Sequence, residues 1–442
     1  MKIQLLLSVL GGMTLLLFLI IRLRIPAFIA LLIAAISTAL MAGMETGVII
    51  ETVQKGMGST LGFVATVVGL GSIFGGILEK TGGAEKIATS LLNFFGEKRA
   101  PVALMLTGFL VGIPVFFDVG FIILFPMLLA VHQKTKKSLI LYAVPLLAGL
   151  AVTHAFIPPT PGPIAVADIL GANLGMVIGV GIVAGLPAAY VSGLLYGKYI
   201  GNKLDIQIPH PPELINKKTD AHTGLVFSIL LLPIALILMS TVLKAIYEDG
   251  NSVVAVIELL GHPFSALILA NILAWYLLGR NYGFSTQQLT EISAKSMQPA
   301  GIIILVTGAG GVLKQVLVDT GAGTMIAETM QSAGLSIIVF SFLAATIVRV
   351  LQGSATVAMI TAAGLVAPLL ASYQLSPIEL AALVMSIASG ATMLSHLNDS
   401  GFWLVKEFLH LNEKQGFQAW TATSTILGLT GFAMSCLIFW LG

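Results

Sequence analysis

The segment HAFIPPTPGPIAVAD, residues 154–168, decides how this chain is read. It holds four prolines, a histidine and an aspartate, and lies between two apolar stretches each long enough to cross a bilayer. Proline removes a backbone donor and bars the residue before it from helical geometry. Pro158, Pro159, Pro161 and Pro163 therefore break a helix at membrane depth, and Gly162 permits a turn. Irregular backbone in hydrocarbon leaves N–H and C=O groups unpaired at a cost of several kcal/mol each. Such a break survives only against protein or a water-filled cavity, so the segment points to a polar site.

The rest of the chain supplies the membrane context. Of 442 residues, 57% are hydrophobic and 10% charged, where a soluble domain carries about 25% charged residues. Apolar runs of about 20 residues, the length that spans a bilayer, recur from end to end. The first, residues 3–21, reads as a transmembrane helix rather than a cleaved leader, because it lacks a small-residue cleavage site and a second span follows Arg22 and Arg24. The net charge of +2 is scattered through short loops, which argues for the lipid bilayer and against nucleic acid as a partner. One cysteine, Cys436, excludes an internal disulfide or cysteine metal site and reads as apolar filler. A zinc HExxH pair, a P-loop and a nucleotide fingerprint are absent from the sequence. We therefore expect no enzyme, no metal, no cofactor and no coupling to ATP.

A second departure of each kind appears later in the chain. ILEKTGGAEKIATSL (77–91) aligns with VLVDTGAGTMIAETM (316–330), matching at Leu78, Thr81, Gly82, Ile87 and Ala88. Nearly the same offset carries VFFDVGF, around Asp118, onto GSATVAM (353–359), and Thr153-His154 close to Ser395-His396. The loop HQKTKKS (132–138) has three lysines and its counterpart ASYQLSP (371–377) has none. Lysine and arginine collect on the cytoplasmic side, so the two halves are expected to be inverted relative to each other.

The expected fold is an all-α polytopic membrane protein of two inverted-topology repeats, each with a re-entrant hairpin and a broken transmembrane helix. Residues 1–60 are scaffold helices. Residues 61–201 are the first repeat, with hairpin 101–131 (arms 101–116 and 119–131) and broken helix 138–175. A cytoplasmic linker covers 202–223, and scaffold helices 224–295. Residues 296–442 are the second repeat, with hairpin 334–370 and broken helix 377–410, interrupted at SHLNDSG (395–401).

Ionisable residues at membrane depth cost about 2.5–3.5 kcal/mol or more and are functional candidates by default. Here they are Asp118, His154, Asp168, Arg349, His396 and Asp399. Half-helices that start at breaks aim positive N-termini into the site, so Gly353, Ser354 and Thr356 form an anion cradle. Arg349, one turn before it, either supplies a charge for a carboxylate substrate or pairs with an internal acid. Thr160, His154, Asn398 and Ser400 are candidate partners for substrate hydroxyls. Asp118, Asp399 and His396 are candidates for proton coupling, although a histidine there can equally donate to an unwound carbonyl. Asp168 reads as a cap ending the broken region before Gly171.

At these motifs the chain resembles the gluconate permease family of proton symporters, within the broader ion-transporter superfamily. The resemblance lies in GSTLGF (58–63), GGAEKIA (82–88), THAFIPPTPGP (153–163), GAGGVLKQVLVDTG (308–321), RVLQGSATVAMITAAGL (349–365) and SHLNDSGFWLVKEF (395–408). It departs at Thr160, where some members carry histidine. The resemblance implies a multi-pass carrier of the bacterial inner membrane that imports gluconate or a related sugar acid with protons. It also implies scaffold and transport domains, a homodimer and an elevator motion. D-serine, a sodium-coupled carrier and an anion channel are the alternatives.

Overall fold

The computed structural model describes residues 2–207, 222–246, 252–332 and 334–442. These residues are helical throughout, without a strand among them. Nine of their helices are long and apolar enough to cross a membrane. Lipid gives apolar side chains no reason to prefer protein over membrane, so helices associate through close packing at small residues and through hydrogen bonds.

Two long helices, Thr46–Lys80 and Thr286–Asp319, lie antiparallel. Thr52 near the start of the first donates to the Asp319 carboxylate at the end of the second, at 3.0 Å. Gly76, near the end of the first, faces Ser296 near the start of the second. The divisions expected at 60/61 and 295/296 fall inside these continuous helices. Neither place has a helix stop, since Ser59, Thr60 and Lys295 are all compatible with helix once their neighbours are packed.

Both expected hairpins take the form of two helices joined by a short turn. The first comprises Ala100–Val111 and Phe117–Thr135. Its turn, residues 112–116, is wider than expected and contains Gly112 and Pro114, so Asp118 sits in the first turn of the second arm. The second comprises Ile337–Gln352 and Ala355–Val366, then a 3₁₀ turn Ala367–Ser372 with Pro368 near its start.

The broken helices are also present. The first runs Ile140–Phe156, breaks, and resumes as Pro161–Leu170. Only Ile157 to Thr160 are non-helical: Pro161 and Pro163 open the second arm instead of belonging to the break, because the first turn of a helix needs no amide donors. The second runs Pro377–Thr392 and resumes at Ser400–Phe408. A capping box of Ser376 and Glu379 fixes its start. Asp168 lies in the last turn before Gly171, which takes the left-handed cap at φ 73°. Of the linker expected at 202–223, residues 208–221 lie outside the described residues.

The first broken helix packs on the first hairpin through glycines. A Cβ on Gly108 would meet the Leu146 carbonyl, and one on Gly149 the Met105 carbonyl. This crossing brings Thr153 against the hairpin, where its hydroxyl donates to the Phe109 carbonyl at 2.7 Å. One apolar cluster includes Phe74, Phe117, Phe121, Tyr142 and Trp420, and another includes Phe156, Met359, Ile360 and Met385. The site opens where the two meet.

Candidate functional site

The end of the helix Ile337–Gln352 organises the site. The last carbonyls of a helix have no partner within it, and here those of Arg349 and Val350 find partners beyond its end. The Gly353 amide donates to the Arg349 carbonyl at 2.8 Å. The Val350 carbonyl accepts from Asn398 Nδ2 at 2.8 Å and from His396 Nε2 at 3.0 Å, both from the second break. The Gly353 carbonyl accepts from the Arg349 guanidinium. Gly353 holds φ 91°, and a Cβ on it would strike the Asn398 carbonyl. Only glycine adopts that conformation freely and also lets the two backbones touch.

Arg349 is buried and makes a second contact through Nη2 to Oδ2 of Asp399. Asp399 is the N-cap of Ser400–Phe408, and its Oδ1 accepts from the Gly401 amide at 3.0 Å. The Ser395 hydroxyl donates to Oδ2 as well, and in turn accepts from the Trp420 indole at 2.7 Å. The hairpin turn and the second break are thus joined by one network from Trp420 through Ser395, Asp399 and Arg349 to Gly353.

The next helix, Ala355–Val366, starts at the same place. Ser354 caps it by accepting from the Val357 amide at 3.4 Å, and the Ser354 amide is held by Gln352 Oε1 at 3.0 Å. Ser354, Ala355, Thr356 and Val357, at the start of this helix, line a cavity of about 690 Å³. Its other walls carry Phe116, Phe117 and Asp118 from the first hairpin, His154 from the first broken helix, and Pro299 to Val306 from the helix Thr286–Asp319. Among the described residues, Nδ1 of His154 is buried without a hydrogen-bond partner, and its ring meets Phe116 edge-on at 6.2 Å. Asp118 and His154 both lie within electrostatic reach of Asp399.

The cavity therefore gathers Gly353, Ser354, Thr356, Arg349, His154, Asn398, Ser400, Asp118 and Asp399 out of the expected set. Two candidates stand outside its lining. The Thr160 hydroxyl turns inward onto the Ile157 carbonyl at 2.6 Å and lines a separate small crevice, because a residue in a proline break satisfies the nearest orphaned carbonyl first. His396 is the structural donor to Val350 described above. Arg349 pairs with an internal acid. Asp168 lines a different cavity of about 360 Å³ with Asn173, Thr241, Lys244, Glu258 and His262. Beside it, Lys314 Nζ donates to the Ile169 carbonyl at 2.5 Å.

Ser395 and Trp420 were not among the sequence candidates. The signal for Trp420 was an indole donor inside an apolar run, which requires a partner when buried. Its placement depends on the π-turn Phe417–Thr421, a feature that often accompanies functional sites.

The geometry agrees with what the chain is similar to. The family model described as "GntP family permease" matches residues 3–441. The low-affinity gluconate transporter of Escherichia coli K12 is 38% identical over 438 residues, covering 98% of either chain. The Gnt-II system L-idonate transporter of the same organism is 34% identical, covering 95% of this chain and 96% of the relative. In fold, the chain is similar to the crystal structure of the Alcanivorax borkumensis YdaH transporter, with a TM-score of 0.67 at 14% identity, covering 94% and 97% of the two chains. With nine helices of membrane-spanning length among the described residues, this is a multi-pass protein of the bacterial inner membrane. A family model matched over residues 3–441 and whole-length identity at this level place the chain in the GntP permease family.

Proposed function

We propose that the protein imports gluconate, or a closely related sugar acid, in symport with protons. One observation carries this reading: a single cavity combines a buried guanidinium, a helix N-terminus and two carboxylates. Its volume, about 690 Å³, lies within the roughly 300–1,000 Å³ of small-molecule sites. The substrate carboxylate binds near Arg349 and the first turn at Gly353–Thr356, where fork donors and backbone amides suit an oxyanion. Hydroxyls of the polyol meet His154, Asn398 and Ser400. A proton binds at Asp118 or Asp399. Relatives named for gluconate and L-idonate support the sugar-acid class.

The antiparallel helices Thr46–Lys80 and Thr286–Asp319, with a hairpin and a broken helix following each, support two inverted repeats. An elevator motion of a homodimer and a cytoplasmic placement of Lys134, Lys136 and Lys137 belong to the same proposal. One proton per monoanion makes transport electroneutral, driven at about 1.36 kcal/mol per pH unit. A second proton adds roughly 2.3 kcal/mol per 100 mV.

The test is uptake of labelled gluconate into proteoliposomes under an imposed pH gradient, chased with unlabelled gluconate, idonate and D-serine. Gradient-dependent uptake blocked best by gluconate is expected. Uptake indifferent to pH but lost when choline replaces sodium would overturn proton coupling, and uptake blocked only by D-serine would overturn the substrate.

A further inference from the structure

The arginine meant for a substrate carboxylate is already occupied by a carboxylate. Resting on the sugar-acid symport reading, we infer that substrate and proton bind by exchange at Arg349: the substrate carboxylate replaces Asp399 on the guanidinium as Asp399 takes up the proton. The geometry of the guanidinium points to this step. Nη1 is held by the Gly353 carbonyl and Nη2 by Asp399, while Nε is buried and has no hydrogen-bond partner among the described residues. A carboxylate binds an arginine through two parallel N–H donors, and the Nε–Nη2 edge is the one with a donor free. Asp399 covers half of that edge and Ser395 and Gly401 hold it there. A substrate that takes both donors displaces Asp399.

The charges around the cavity set the response to that displacement. Asp118 comes from the first hairpin, His154 from the first broken helix, Arg349 from the second hairpin and Asp399 from the second break, while the long helix contributes only Pro299 to Val306 and the last helix only Trp420, Ser424 and Leu427. With both carboxylates ionised and the histidine neutral the site carries one net negative charge. A substrate anion raises this to two and leaves Asp399 without its counter-ion. One proton from bulk water on Oδ2 of Asp399 restores the original charge. The Nη2 donor passes from Asp399 to the substrate, Nε gains an acceptor, and the only covalent bond formed is the O–H of the protonated carboxyl. Asp118 lines another wall of the cavity without an ion-pair partner among the described residues, so substrate arrival displaces nothing from it.

The experiment is calorimetric titration of gluconate into the purified full-length protein, in buffers of differing ionisation heat at pH 6 and pH 8. Wild type is expected to take up about one proton per gluconate and to bind up to about tenfold more tightly per unit of acidification. Asp399→Asn, whose amide oxygen can still accept from Gly401 while its amide nitrogen turns toward Ser395, is expected to take up none and to bind with the same affinity at both pH values. In proteoliposomes it exchanges gluconate but does not accumulate it under a pH gradient. Asp118→Asn is expected to keep the proton uptake. Proton uptake that persists in Asp399→Asn overturns the exchange and leaves the symport reading standing, whereas a wild type that binds no gluconate overturns both. Should Asp399→Asn fail to fold, infrared difference spectra of wild type and Asp399→Glu carry the test. A protonated-carboxyl band must appear on adding gluconate and shift in the glutamate variant; its absence overturns the proposal.

Discussion

Replacing Arg349 by methionine keeps much of the side-chain length and removes the charge that Asp399 faces. The Arg349 and Asp399 side chains are 5% and 13% exposed, so solvent does little to screen the loss. Removing the partner of a buried charge costs about 3–5 kcal/mol, so Arg349→Met is expected to lose about 4 kcal/mol of stability at pH 7. In Arg349→Met/Asp399→Asn no charge is stranded, and the remaining loss is that of hydrogen bonds, about 1–2 kcal/mol. Equilibrium unfolding in mixed micelles closes the double-mutant cycle, with a coupling of about 2 kcal/mol or more expected. A coupling below about 0.5 kcal/mol would refute the pairing.

Gly353→Ala is expected to destabilise the protein by about 2–4 kcal/mol, combining left-handed strain with displacement of the Asn398 carbonyl; thermal unfolding close to wild type would mean that the two backbones do not touch. Thr160→Val is expected to lose about 1 kcal/mol with the hydroxyl's bond to the Ile157 carbonyl, while the KM for gluconate uptake stays within about twofold. A tenfold rise in that KM would put the hydroxyl back at the substrate.

Much of the architecture was legible because its causes are local. Pro158 and Pro159 stop a helix wherever they stand, and a lysine-rich loop needs no tertiary context to be recognised. The edges of the breaks were less legible, since a proline can end a helix, open one in its first turn or, as Pro145 and Pro299 do here, stand inside one, and the sequence does not say which of these Pro161 and Pro163 do. The site was legible as a set of residue types but not as a set of pairs. Arg349 had two readings because its partner, Asp399, lies fifty residues away and is brought to it only when the second break folds over the hairpin turn. Thr160 and His396 were polar residues in the right places, and the Thr160 hydroxyl and the His396 Nε2 bond to the Ile157 and Val350 carbonyls. Side-chain direction at a break depends on which carbonyl has lost its helical partner, and that is a property of the assembled backbone.

The two breaks have similar backbone form and different chemistry, and the difference says which of them handles charge. The first is made of prolines, which offer no amide donors, and its one hydroxyl closes on its own carbonyl. It is a stiff turn with no residue in the cavity lining, to which the helix before it contributes Ala151, His154 and Ala155. The second is made of Ser395, His396, Asn398 and Asp399, and each of these is hydrogen-bonded outside its own arms: to Trp420, Val350 or Arg349. A segment held by side-chain bonds to a neighbouring hairpin moves when those bonds are exchanged, whereas a segment held by proline geometry does not. The charged break and the hairpin turn at Gly353 therefore form one unit, and a ligand that takes Asp399's place on Arg349 alters the contact between them. Asp118, across the cavity on the stiff side, meets the same ligand without any such contact to lose. Binding at this cavity is thus expected to loosen one wall and leave the other in place, which is the asymmetry a carrier needs if substrate occupancy is to change how its halves fit together.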